Sequence, residues 1–172
     1  MKIGITCDHG GFKLKQKLVK YFYTKKIEVI DYGVDSFISA DYPIMAFNLG
    51  KEVIAGTVDY GIAICSSGIG ISIACNKIDG IRCAKVDNPM EARATRLDND
   101  ANILALNGTM PTYRALDIVD VFLKTDFSNE ERHIRRINQI TDYEKNRYIK
   151  PKKPRVKLEE TQKETEVITD EC

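Results

Sequence analysis

The sequence predicts an α/β domain: a doubly wound, five-stranded parallel sheet in the order 2-1-3-4-5, in an α/β/α sandwich with a C-terminal helix and tail. Three observations predict it. Apolar runs alternate with helical stretches five times along the chain. Each apolar run is of strand length and too short for a helix, which calls for a parallel sheet covered on both faces. The loops after the first and third strands, Asp8-His9-Gly10-Gly11 and Cys65-Ser66-Ser67-Gly68-Ile69-Gly70, are both polar and glycine-bearing. In the expected order these strands are neighbours, so the two loops meet at the carboxyl ends, where such sheets bind ligands.

Lys2 to Cys7 is the first strand, and Phe12 to Lys25 an amphipathic helix carrying Phe12, Leu14, Leu18, Val19 and Phe22 as its apolar positions. Ile27 to Tyr32 is the second strand, followed by a loop through Gly33 and Ser39. Asp41-Tyr42-Pro43 marks a helix start, since proline is tolerated in a first turn, and that helix runs to about Ala55. Tyr60 to Cys65 is the third strand, and the small residues after it lead into a helix reaching Asn76. Gly80 to Val86 is the fourth strand. Pro89 opens a helix that breaks near Leu97-Asp98-Asn99-Asp100. Asn102 to Leu106 is the fifth strand and Pro111 to Lys124 a helix. Ser128-Asn129-Glu130-Glu131 supplies an N-cap and an acidic first turn for a last helix, to about Tyr148. Beyond it the composition shifts to basic, proline-broken Lys150–Arg155 and then to mainly acidic Glu159–Glu171. The chain therefore divides into a domain at 1–148 and a charged tail at 149–172, mostly disordered or loosely helical.

Bulk properties narrow the function classes. The 172 residues are enough for one domain with a full core. Lys+Arg 26 against Asp+Glu 25 leaves a net charge of +1, so no global field recruits nucleic acid or an acidic membrane. No apolar run approaches a membrane span, and the first residues enter a strand pattern without a signal-peptide layout. Five scattered cysteines without C-x-x-C spacing argue for reduced thiols in a cytoplasmic protein, against a disulfide framework or a zinc site. Two histidines leave little room for a His-based metal site.

The chemistry concentrates after the third strand. A strand, a small-residue loop and a helix N-terminus in succession make an anion site, because free N–H groups and the helix dipole point at the loop. Cys65 stands at its mouth, a position where a thiol can be made available as thiolate. The plain alternative is a small buried strand residue, as free cysteines usually are. Arg132 and Arg136 are four apart on a predicted helix, so both guanidinia can face one ligand, and their planar forks suit phosphate. His133 and Arg135 lie off that face. The plain alternative there is a solvated basic helix.

The combination of C-D-H-G-G after the first strand, D-Y-P at a helix start, C-S-S-G-I-G-I-S with A-C-N-K, and E-R-H-I-R-R near the end resembles the ribose-5-phosphate isomerase type B family. That family also includes galactose-6-phosphate and allose-6-phosphate isomerases, and the resemblance covers about residues 1–148. It implies an aldose–ketose isomerase without metal or cofactor, acting on a sugar phosphate as a homodimer or dimer of dimers with shared active sites. By position, the resemblance makes Cys65 the general base of one branch, moving a proton between C1 and C2 through a cis-enediolate. Ser67 takes the place of a Thr or Ser that aids proton transfer. The amides around Gly68 and Gly70 become the anion hole, Ser66 and Ile69 join the substrate-binding loop, Asp8 and His9 bind hydroxyls and phosphate, and Tyr42 lines the substrate. Arg132 and Arg136 bind phosphate, while Asn99 comes from the partner subunit to a sugar oxygen.

The departures from the pattern are also specific. Asp98 stands where many members carry a ring-opening histidine. A carboxylate can take a proton from the anomeric hydroxyl but is a poor acid for the ring oxygen at neutral pH. Thr109 stands where members often place a phosphate-binding basic residue, and Ser66 replaces a common glycine. The first expectation is conversion of ribose 5-phosphate to ribulose 5-phosphate. The alternatives are a hexose-6-phosphate isomerase and a non-catalytic sugar-phosphate-binding module, with a flavodoxin-type protein more remote.

Overall fold

The computed structural model describes residues 1–147, so the tail expected at 149–172 lies outside the described residues. The elements in chain order are β1 (Lys2–Cys7), α1 (Phe12–Thr24), β2 (Glu28–Asp31), α2 (Tyr42–Ile54), β3 (Tyr60–Cys65), α3 (Ile69–Cys75), β4 (Cys83–Lys85), α4 (Pro89–Asn99), β5 (Ile103–Asn107), α5 (Thr112–Lys124) and α6 (Glu131–Asn146). All strand pairs are parallel. The α/β doubly wound class is as expected, and β1 and β3 are neighbours.

The sheet order is β2-β1-β3-β5-β4, so the last two strands are exchanged relative to the expected 2-1-3-4-5. Composition explains the exchange. β5 is Ile-Leu-Ala-Leu-Asn with its first four residues buried, and it suits an interior place. β4 is only Cys-Ala-Lys, all half-buried, and suits an edge. The side chain of Asn76 covers part of that edge: its Nδ2 donates to Cys83 O and its Oδ1 accepts from Cys83 N, both at 2.8 Å. A right-handed connection that reverses direction along a sheet must cross the opposite face. The path from β4 back to β5 therefore carries α4 to the side of α1 and α5, away from α3.

Two cores result. On one face Phe12, Leu14, Leu18 and Phe22 of α1, Ala92 of α4, and Ala115, Ile118, Val119 and Phe122 of α5 cover Ile62, Ile64, Leu104 and Leu106. On the other, Ala46 and Leu49 of α2 with Ile71, Ala74 and Cys75 of α3 cover Ala63, Cys65, Ile103 and Ala105. The two faces alternate along β3, as strand geometry requires. Small residues under α2 let it lie close: a Cβ on Gly4 would stand 2.6 Å from Leu49 Cδ1. Cys65 thus faces the α2/α3 side.

Local sequence sets the helix ends. Pro89 occupies a first-turn position of α4, Asn88 Oδ1 accepts from Glu91 N at 3.0 Å, and Glu91 Oε2 accepts from Asp87 N at 2.7 Å. At its other end Asp100 sits in the left-handed region at φ 45°. Two guanidinia hold it there. Arg96 Nη1 donates to Asp100 Oδ1 and to Ala101 O, both at 2.7 Å, and Arg82 Nη2 donates to Asp100 Oδ2 at 2.9 Å. Arg96 is 4% exposed, and its Nη2 also donates to Tyr60 OH at 3.0 Å.

Candidate active site

β3 is apolar until Cys65, where the chain leaves the sheet through Ser66, Ser67 and Gly68 into α3. Cys65 is 4% exposed. Its Sγ accepts a hydrogen bond from Gly68 N at 3.2 Å, and its carbonyl accepts from Gly108 N at 2.8 Å. Gly68 lies at φ 76°, and a Cβ there would stand 2.8 Å from Leu106 C and 3.1 Å from Asn107 N. The loop thus requires glycine twice over, by conformation and by the floor that β5 places beneath it. Ser67 Oγ accepts from Ile69 N at 3.2 Å, stiffening the turn.

The loop after β1 packs directly against this one. A Cβ on Gly10 would collide with Ser66 Oγ. Asp8, 5% exposed, accepts from Gly11 N through Oδ1 at 3.1 Å, and its own N donates to Ile64 O at 3.2 Å. His9 Nδ1 accepts from Ala40 N at 3.2 Å, which assigns the proton of the neutral ring to Nε2. Tyr42 opens α2, and its ring lies over Gly70, where a Cβ would stand 2.7 Å from Tyr42 Cζ. The loop carrying Asp8 and His9 thus packs on the one carrying Cys65, Ser66, Ser67, Gly68, Ile69 and Gly70, and Tyr42 lies against the latter. Thr109 stands near it, at the end of β5, with N and Oγ1 donating to Asn107 Oδ1 at 2.8 and 2.7 Å.

Asp98, Asn99, Arg132 and Arg136 lie elsewhere in the same chain. α4 leads into the amino end of β5, and Arg96 on its last turns bonds Tyr60, the first residue of β3. Cys65 is the last residue of β3, five steps and about 16 Å further along. α6 joins the α4 group: Ser128 N donates to Leu97 O at 3.2 Å, and His133 Nδ1 lies 3.7 Å from Asp98 Oδ1. Arg132 Nε pairs with Glu130 Oε2 at 2.8 Å on an exposed face. The residues singled out in the sequence thus fall into two groups at opposite ends of the sheet. Sequence reading missed three supports: the clamp of Ala40 on His9, the two arginines on Asp100, and the buried His133. The last had a legible signal, a histidine off the exposed face of a charged helix.

A family model described as Ribose/Galactose Isomerase matches residues 3–140. The chain belongs to the ribose/galactose isomerase family. It is an enzyme of the isomerase class, in agreement with the resemblance read from its motifs. Among relatives of this isomerase, ribose-5-phosphate isomerase B of Escherichia coli is 40% identical over 147 residues, covering 85% of this chain and 98% of that protein. The Clostridium thermocellum ribose-5-phosphate isomerase B structure superposes with a TM-score of 0.83 at 44% identity, covering 86% of this chain and all of that one, 100%. The Mycoplasma genitalium ribose-5-phosphate isomerase B, whose crystal structure holds bound ribulose 5-phosphate, gives a TM-score of 0.80 at 36% identity over 84% of this chain and 97% of that one. No helix of this isomerase, among the described residues, is long and apolar enough to cross a membrane.

Proposed function

We propose that this isomerase, working in the cytoplasm, interconverts ribose 5-phosphate and ribulose 5-phosphate through a cis-enediolate, with Cys65 as the base. The observation that carries this reading is the Gly68 N–H donating to Cys65 Sγ at 3.2 Å, which fixes the sulfur at the head of the glycine-bearing loop, beside the backbone amides that lead into α3. Cys65 would remove the C2 hydrogen of the open aldose and return it to C1. Gly68 N–H being engaged with sulfur, the oxygen that becomes negative falls to the neighbouring amides of Ser66, Ser67 and Gly70, with Ser67 Oγ moving the hydroxyl proton. Asp8 and His9 hold the sugar, His9 through Nε2, and the Tyr42 ring forms the wall. Agreement of the relatives' names with this chemistry supports the substrate class.

The separation of the two groups leads to a second part of the proposal. Two copies pair so that Asp98, Asn99, Arg132 and Arg136 of one complete the Cys65 site of the other. Ile44, Phe47 and Ile54 on α2 and Ile69 and Ile73 on α3 are exposed, and these helices pack side by side next to the site. Such an apolar face is suited to covering by a second copy. Ile73→Lys is expected to shift the protein to monomer in sedimentation and to reduce turnover in parallel. A monomer of undiminished turnover would refute the shared site. Arg136→Ala is expected to raise KM for the sugar phosphate about tenfold or more, as loss of a charge-assisted phosphate contact does, with a smaller effect on kcat. An unchanged KM would remove Arg136 from the phosphate site.

The function as a whole is tested by ketose formation from ribose 5-phosphate, allose 6-phosphate and galactose 6-phosphate offered in parallel. Turnover of the pentose is the expected result. Turnover of a hexose phosphate alone would move the assignment within the family, and binding without turnover on any of them would make the protein a sugar-phosphate-binding module.

A further inference from the structure

We propose that His133 is a positioning residue for ring opening: it lies behind Asp98 and serves as the store for the proton that Asp98 moves on the sugar. The proposal rests on the shared-site reading, in which Asp98 reaches the substrate bound at the partner's loop.

A pentose 5-phosphate in water is mainly a furanose, and C2 cannot be deprotonated towards an enediolate until the ring opens. Opening breaks the O1–H bond, whose electron pair forms C1=O1. It breaks the C1–O4 bond, whose pair goes to O4, and O4 takes a proton. One proton is removed and one is returned, so a single relay suffices with no outside co-reactant. A lone carboxylate is a weak base for the first half of that exchange. An imidazole behind it changes this, because the proton can pass from O1 to Asp98, on to His133, and back through Asp98 to O4.

The geometry fits this role. Asp98 is 53% exposed, and its Oδ1 lies 3.7 Å from His133 Nδ1. His133 is buried, and it is the one buried side chain of α6 among the described residues. An apolar residue there would fill the space without needing a partner. Instead Nδ1 meets Ser128 Oγ at 2.9 Å. A hydroxyl can accept from Nδ1–H or donate to bare Nδ1, so the imidazole keeps its partner as its proton comes and goes. The frame is rigid: His133 N donates to Glu130 O at 2.8 Å, and Ser128 N to Leu97 O at 3.2 Å, tying α6, its leading loop and the last turn of α4 together.

The test separates ring opening from enolisation. Ribulose 5-phosphate carries its phosphate on O5 and has no furanose form, so exchange of its C1 hydrogen with solvent deuterium, read by NMR, needs no ring opening. Conversion of ribose 5-phosphate needs it. In His133→Asn, conversion is expected to fall about tenfold or more while C1 exchange stays within about twofold. Adding Asp98→His to that variant should restore conversion, since the imidazole then faces the sugar directly. Equal losses in both reactions, or undiminished conversion, would overturn the proposal. Absence of C1 exchange in the unaltered protein would overturn the isomerase reading itself, a distinct result.

Discussion

Replacing Cys65 with serine is expected to remove isomerisation while leaving the fold in place. The serine Oγ can accept the Gly68 amide in place of Sγ, and the substitution fits the same small volume under α3. The hydroxyl, however, ionises far less readily than a thiol, so the base is lost although the scaffold is not. Positioned acid–base groups contribute about 10²–10⁴-fold, and turnover should drop on that scale with the melting temperature nearly unchanged. Ketose formation and a thermal melt, run on the same preparation, check both halves. A serine variant of near-native turnover would take the base role from Cys65 and pass it to Asp8, the buried carboxylate of the adjoining loop.

Gly68→Ala is expected to cost both stability and activity. The new Cβ would stand 2.8 Å from Leu106 C and 3.0 Å from Leu106 O, which are backbone atoms of β5 and cannot step aside. The φ of 76° adds strain of about 1–2 kcal/mol for any L residue. Together with the clash we expect about 3 kcal/mol of destabilisation, measurable by urea denaturation, since large losses of this kind come from strain at special backbone positions. The loop would have to lift, carrying the amide away from Sγ. Misplacing reacting groups by about 1 Å costs on the order of 100-fold, so turnover should fall by at least that much even well below the melting temperature. A stable, active alanine variant would show that the loop tolerates movement and that the Gly68–Sγ bond contributes little to catalysis.

Much of this was legible in the sequence because it is local. Asp8-His9-Gly10-Gly11 and Cys65 to Gly70 identify themselves by residue type, and five strand–helix units with β1 beside β3 bring them together. The exchange of β4 and β5 was not legible from order alone, because the default for a doubly wound sheet adds strands outward. The contrast between Cys-Ala-Lys and Ile-Leu-Ala-Leu carried the answer, as a short, half-polar strand does not belong inside. In the two loops and at the start of α2, the family resemblance singled out His9 and Tyr42, but not the Ala40 amide that sets the histidine tautomer or the Gly70 platform beneath the tyrosine ring. Such contacts join segments far apart in the chain and leave no mark on either one. Asp98 read as a bare loss where a histidine was expected, since nothing in T-R-L-D-N-D announces His133, 35 positions later, behind it.

The inward return of β5 has a consequence for how the protein comes into being on the ribosome. β3 is synthesised with β1 already available on one side, but its other edge must wait until residues 103–107 have been made, after β4 and α4. Until then that edge of β3 lacks its ladder partner, and the turn bearing Cys65 lacks its floor, because Leu106 and Asn107 supply it. A nascent chain stopped anywhere before β5 therefore holds every residue of the thiol loop without the strand that lies beneath it. The thiol loop gains its floor in one late step, when β5 enters between β3 and β4 and brings Leu106 and Asn107 beneath it.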